Sequence, residues 1–429
     1  MFARGGGVRA LWLGTQTKEG TGPAKIGWFR QRDIFLVRTA ATKFAVTTDG
    51  NKPDGGPGRQ AIEVSSKYRP SEFFITADKS ERYAMWFYLG TASESAMGLS
   101  HHLAPYQGNA TVYYKSAASW TTSLAGEKIT FYDDNCDGKL ATIPPYDYGL
   151  KFRTFGDVEK EVSVVAFDSM AIGKGKRIPW SSFVKLKDSW FHLRGKDDPS
   201  KMGVRPLHPE FFSTGTIQMK WKGSRTLKPA FLIVRGSDEF GDANFDIASG
   251  KAVEVPASTY RIAFGRMTSG KGVRLVEGHI YQGDMPKIEV KKGENTVITL
   301  GSPFQLDFKR GGDGDKVSID ATSIRILGAA GELYSRMSGA TPTPEVVCAK
   351  SDSGKGAKAI AEFMMMDIEQ LNRLSSKSKL SMEVGFYPVL KGDLQGNQVF
   401  EGTLPFKSGV VGLRQKRHKV FGKFDPIWK

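Results

Sequence analysis

Between Arg177 and Pro303 eight short runs follow one another: WFHLR, TIQMKW, AFLIVRG, AVEVP, TYRIAF, VRLVEGHIY, KIEVKKG and NTVITLG. Most alternate apolar with polar residues and end in turn formers. A period of two buries one face of an extended segment and wets the other, so each run is expected to be a strand with one face on a core. The same texture is present before it, at Asp33–Val37, Phe44–Thr48, Ala84–Leu89, Thr111–Lys115, Lys128–Tyr132 and Val162–Phe167, and after it, at KVSID, SIRILG and ELYSR. Glycine supplies the punctuation: 49 of 429 residues, about 11% against a usual 7%, scattered and not periodic. The expectation is an all-β chain of several antiparallel β-sandwich domains with at most one long helix. Three regions are expected: a β-rich region 1–172, a sandwich region 177–305 and a β-rich region 306–429, with a soft boundary in the glycine-rich AIGKGK at 171–176.

The helix candidate is Ala357 to Leu374, where Ile360, Phe363, Met364, Ile368, Leu371 and Leu374 recur mostly at intervals of three and four. Its Phe363-Met364-Met365-Met366 cluster reads as core packing. Lys291-Lys292-Gly293-Glu294-Asn295 is expected to be a turn joining two runs that pair as a hairpin.

Composition narrows the rest. Hydrophobic residues are 40% and charged residues 25%, as in an ordinary globular chain. No run of about 18 apolar residues is present, so no helix is expected to span a bilayer, and the apolar stretch from Val8 to Leu13 is too short for an export signal. Cys136 and Cys348 alone support neither a disulfide framework nor a cysteine zinc site; whether they bridge stays open. The net charge of +16 is densest in LRQKRHKVFGKFDPIWK at 413–429. That run reads as a solvated tail able to meet an anionic surface, with Phe421, Phe424 and Trp428 docking it on a neighbouring domain.

The stretch Phe245 to Leu300 resembles the transthyretin-like sandwich modules seen as carboxypeptidase regulatory-like and PEGA domains. Two runs carry the resemblance: Val255-Pro256-Ala257-Ser258-Thr259-Tyr260-Arg261-Ile262, and Val290-Lys291-Lys292-Gly293-Glu294-Asn295-Thr296-Val297-Ile298-Thr299-Leu300. Ser258 stands where the pattern has glycine. The resemblance implies a non-enzymatic sandwich of the kind found in exported and surface proteins, with consecutive antiparallel strands and Val255, Tyr260, Ile262 and Val297 in one core.

One segment points to chemistry. In Asp133-Asp134-Asn135-Cys136-Asp137-Gly138-Lys139 three oxygen-bearing side chains, Asp133, Asn135 and Asp137, stand at alternate positions before a glycine. This is the opening half of a calcium loop, in which the Lys139 carbonyl would be the next ligand. Pro144 replaces the closing glutamate, so no helix–loop–helix sensor is expected; Asp147 is the acid able to complete the shell. Against it stands a β-turn whose Asp and Asn side chains bond their own backbone. The Asp313-Gly314-Asp315 echo offers too few ligands.

Other motifs fail on context. Gly265 to Lys271 fits G-x-x-x-x-G-K, but Gly272 replaces the Ser/Thr and a strand follows where a helix must cradle phosphates, so a hairpin is expected. The histidines lack metal spacing, no G-x-S-x-G occurs, and adjacent carboxylates such as Asp197-Asp198 lack the facing geometry of a glycosidase. Aromatics such as Phe87 and Trp120 suit either a core or a glycan platform. The expectation is therefore an exported or envelope-associated binding or structural protein with calcium as its ion. Its partner would be a polyanionic surface, a glycan or another envelope protein, and not nucleic acid. The alternative is a glycan- or peptide-directed hydrolase whose catalytic residues are dispersed.

Overall fold

The computed structural model describes residues 9–13, 24–29, 32–40, 43–49, 59–62, 69–74, 82–90, 110–117, 119–134, 162–163, 168–175, 177–194, 201–223, 227–270, 276–338, 342–365, 388–391, 399–406 and 408–429. Strand accounts for 60% and helix for 2%, and among the described residues no helix reaches seven residues. The fold is all-β, built from several sheets that are mainly antiparallel. Among the described residues no helix is long and apolar enough to cross a membrane.

The chain divides into two compact units, 1–213 with 235–245, and 214–234 with 246–429. These cut across the three sequence regions. Ala171 to Gly175, the described part of that boundary, ends one strand and enters the turn before its sheet partner, Ser169–Ile172 pairing with Ile178–Pro179.

In the first unit a five-stranded sheet runs in the order Val162–Ser163, Arg9–Leu13, Ala110–Ser116, Arg82–Gly90, Arg69–Phe74, and a four-stranded sheet joins Ala24–Phe29, Arg32–Ala40, Lys43–Thr47 and Arg59–Ile62. Ile34, Leu36, Phe44 and Val46 of the latter are buried. A second four-stranded sheet orders Ile178–Pro179, Ser169–Ile172, Glu127–Tyr132 and Ser119–Leu124, and a three-stranded one orders Phe183–Leu186, Ser189–Arg194 and Gly203–Leu207. Between these last two lies a core of Ile129, Phe131, Met170, Trp180, Val184, Leu186, Phe191 and Leu193. Phe87 is buried and Trp120 packs on that core, so both aromatics serve packing.

In the second unit Thr214–Trp221 is the middle strand of three. It pairs antiparallel with Val253–Pro256 and parallel with Asn295–Leu300. A longer path runs through Thr259–Ser269, Val276–Tyr281, Leu333–Ser338, Arg325–Leu327, Gln305–Asp307, Gly422–Pro426, Val410–His418, Glu345–Ala349, Lys358–Met365 and Pro388–Leu390. Ser269 pairs with Val276 and Gly265 with Ile280, which makes the G-x-x-x-x-G-K segment part of the expected hairpin.

Three expectations are corrected. First, the helix is absent over Lys358–Met365, which is a strand; residues 366–374 lie outside the described residues. Phe363 is fully buried and its neighbour Met364 is 40% exposed, an alternation of two. A bulge opposite Val346 and Val347 pairs Val346 with Ala361 and Val347 with Ala359. The extra residue, Ile360, breaks the period of two and so imitates a helical spacing.

Second, the 291–295 turn exists, with Glu294 N–H donating to the Lys291 carbonyl and Gly293 at φ 73°, a conformation that suits glycine. The runs beside it do not pair as a hairpin. Ile288–Glu289 pairs with Thr259–Ser269, and Asn295–Leu300 crosses to lie parallel to Thr214–Trp221. Val255, Tyr260 and Ile262 are fully buried as expected, but Val297 is 42% exposed, while Ile298 and Leu300 face inward. Two apolar neighbours, Val297 and Ile298, leave the phase open in sequence; the register with Met219 and Trp221 decides it.

Third, the basic stretch from 413 is no appended tail. It is built from the strands Val410–His418 and Gly422–Pro426, with Phe421 and Phe424 buried. Lys429 is held by a two-bond backbone exchange with Val411 at 2.9 and 3.0 Å, and its ammonium lies 2.6 Å from Asp307.

Arg325 holds the other oxygen of Asp307 at 2.5 Å and reaches Asp284 at 2.8 Å. Burial alone would raise the Asp307 carboxyl, but hydrogen bonds from Lys429 and Arg325, with their charges, outweigh it and hold the group below its usual range. A carboxyl depressed in the folded state adds stability that is present above its unfolded pKa, near 3.9, and is lost as pH falls through the depressed folded value. Asp307→Asn is therefore expected to cost about 2 kcal/mol at pH 7. The gap from the parent should close as urea unfolding is repeated at pH values falling below about 4; a gap independent of pH would contradict the pairing.

Candidate acidic loop base

Two strand ends and the approach to a third place the candidate site. Strand Glu127–Tyr132 runs out into Asp133 and Asp134, and its partner Ser169–Ile172 begins after Asp168, with Tyr132 opposite Ser169. Ser169 in turn faces Pro179 and Met170 faces Ile178, so Arg177, just before that third strand, starts further along the sheet and reaches back to this end through its long side chain. Asp133, Asp134, Asp168 and Ser169 are all fully buried, although their sequence positions flank a long connection.

Charge has to be managed where carboxylates leave water. The Arg177 guanidinium donates to one Asp134 oxygen and the Ser169 hydroxyl donates to the other. Arg177 also donates to Ser169 and lies flat over the Tyr132 ring, 3.7 Å from its centroid, where the ring's negative face favours a cation. Asp168 accepts the Asp134 backbone N–H at 3.1 Å, and its own carbonyl accepts Trp180 N–H at 2.9 Å. This lattice ties the loop base to the core that Trp180 and Phe131 share, their rings 5.2 Å apart.

Of the sequence-derived ligand set, Asp133 stands buried at the first position. Asn135, Asp137, Lys139 and Asp147 lie outside the described residues, as does Cys136; Cys348 is a buried free thiol. Asp134 is committed to Arg177 and Ser169. Among the described residues no three His, Cys, Asp or Glu side chains gather as a metal site. Of that ligand set Asp133 alone is described, a buried hard-oxygen side chain of the type calcium takes. Reading the sequence alone passed over Asp168, Ser169 and Arg177. Their only local signal is the Asp133-Asp134 doublet directly after an apolar run, since Arg177 is 43 residues from its partner.

Elsewhere the polar interior is structural. Glu332, fully buried, accepts from Gly301 N–H at 2.7 Å, Ala330 N–H at 2.9 Å and the Tyr334 hydroxyl at 2.6 Å. His418 Nδ1 accepts from the Val420 and Phe421 N–H groups at 3.2 and 3.0 Å and so caps a turn.

The fold and this loop base define an all-β protein with a buried, arginine-clamped acidic loop base. No family model, curated protein or solved structure matches the chain.

Proposed function

We propose that the protein is a non-enzymatic binding or structural protein of the exported or cell-envelope type, with calcium stabilising the loop that Asp133 opens. The observation that carries this is the burial of Asp133 at the loop's first ligand position, beside an Asp134 already neutralised by Arg177. Asp133 would then serve the cation while Arg177 keeps Asp134 balanced. Loops of this extracellular type bind calcium at about 10⁻⁴ to 10⁻³ M, concentrations met outside the cytosol, which accords with export. The buried Val255, Tyr260 and Ile262 support the transthyretin-like resemblance over 245–300. The parallel pairing of 295–300 is a departure from the consecutive antiparallel strands it implies.

Thermal unfolding with calcium against chelator tests the reading. Stabilisation by mass action is RT ln(1 + [L]/Kd), so about 10 mM calcium should add about 1.4 to 2.7 kcal/mol. Asp137→Ala should abolish the gain and leave the calcium-free protein little changed, because it also relieves carboxylate repulsion. A midpoint indifferent to calcium and chelator returns the segment to an ordinary turn.

A further inference from the structure

We propose that the open face of strands Ser189–Arg194 and Gly203–Leu207 binds a tetrahedral oxyanion, a sulfate or phosphate ester carried on a polymer, through His192, Arg194 and Arg205. This deepens the binding reading above and makes no use of the calcium loop.

Alternation divides the face. Phe191 and Leu193 point into the core with Trp180, so Trp190, His192 and Arg194 take the opposite side. At one end of that side Trp190 and Leu207 are covered by Phe212, Phe240 and Phe245. At the other end the cover stops and the residues become cationic. His192 sits directly across from Arg205, and Arg194 across from Gly203, which adds no side chain of its own between the two arginines. Arg194 and Arg205 are therefore diagonal neighbours, about 7 to 8 Å apart at the backbone, and both are exposed.

The imidazole is fixed. Its ring stacks on Phe183 with centroids 4.6 Å apart and planes 4° from parallel, and Phe212 continues the stack at 6.2 Å and 4°. Arg194 Nε donates to His192 Nδ1 at 3.4 Å, which ties the guanidinium to the stacked ring. Neither Arg194 nor Arg205 has a carboxylate partner among the described residues, whereas Arg325 has two. From 185 to 205 six Lys and Arg stand against three Asp. Like charges on neighbouring strand positions repel, and an oxyanion between two guanidinium forks turns that repulsion into charge-assisted hydrogen bonds. The strands beneath give the site a rigid base.

Binding of the full chain to heparin, measured in chelator, tests this. The double variant Arg194→Gln with Arg205→Gln should weaken binding about tenfold or more, the loss of one or two charge-assisted hydrogen bonds. Lys419→Gln with Lys423→Gln, in the turn after strand Val410–His418 and the start of strand Gly422–Pro426, should change it less than about twofold. Sulfate should displace heparin at lower ionic strength than chloride does, and vesicles containing phosphatidylglycerol should not retain the protein. Equal losses from both double variants, no loss from the first, identical sulfate and chloride curves, or retention by vesicles alone would each overturn the proposal. Because the Arg205 side chain is exposed and has no ion pair among the described residues, Arg205→Gln alone should keep the parent's melting midpoint and still weaken heparin binding, which separates the site from a folding defect. A protein that calcium stabilises but heparin ignores loses this inference and keeps the calcium reading.

Discussion

Arg177→Met is expected to lower the free energy of unfolding by about 3 to 5 kcal/mol, because it strands the Asp134 carboxylate in the interior. Asp134 is 1% exposed at its side chain and Arg177 20%, so water cannot replace the lost guanidinium without opening the loop base. Methionine keeps much of the bulk over Tyr132, which confines the effect to charge. Adding Asp134→Asn to that variant should restore a good part of the loss, since a neutral amide in place of the stranded charge still accepts from Ser169. Urea unfolding of the parent, both single variants and the double closes the cycle. A loss under about 1 kcal/mol for Arg177→Met would show the pair behaving as a surface salt bridge.

Glu332→Ala is expected to cost a comparable amount, about 4 kcal/mol, for the opposite reason: it removes an acceptor and leaves donors unpaired. Gly301 N–H and the Tyr334 hydroxyl both end on the same Glu332 oxygen. Tyr334 is buried, and burial first, then the charge and hydrogen bond of Glu332, hold its hydroxyl well above the usual tyrosine range, so it stays a donor. Tyr334→Phe should be much less harmful in the Glu332→Ala background than in the parent, because the orphaned hydroxyl is then gone. Additive losses would show that the two groups do not share the bond.

Local periodicity made the strands legible. The runs at 33–37, 44–48, 84–89, 111–115 and 128–132 all lie within or across strands, because a half-buried strand writes its burial into every second residue. Sequence misled where the phase was reset from outside. Ile360 carries a bulge that depends on Val346 and Val347, and Val297 is turned outward by a register with Thr214–Trp221, some 79 positions earlier. The candidate site divides the same way. Asp133 is written in the D-x-N-x-D-G spacing, whereas Asp168, Ser169 and Arg177 enter only because pairing brings three separate strands side by side. The hairpin between Ser269 and Val276 was legible because the residues that forbid a phosphate loop, Gly272 and the following β-branched run, are adjacent in sequence.

The parallel partnership of Thr214–Trp221 with Asn295–Leu300 also sets a timetable for biosynthesis. Thr216 bonds to Asn295 across a separation of 79 residues, and ribosomes add about 5 to 20 residues per second. The middle strand of this small sheet therefore waits roughly 4 to 16 seconds between its own emergence and that of its last neighbour. During that interval its Ile217 and Met219 side chains, buried in the finished protein, lack the neighbour that completes their sheet, and the edge later taken by 295–300 is open to any extended chain. Translation speed between codons 222 and 300 is thus expected to govern how much of the nascent protein is captured by chaperones or aggregates, and slow codons placed there should lengthen that exposure without altering a single residue.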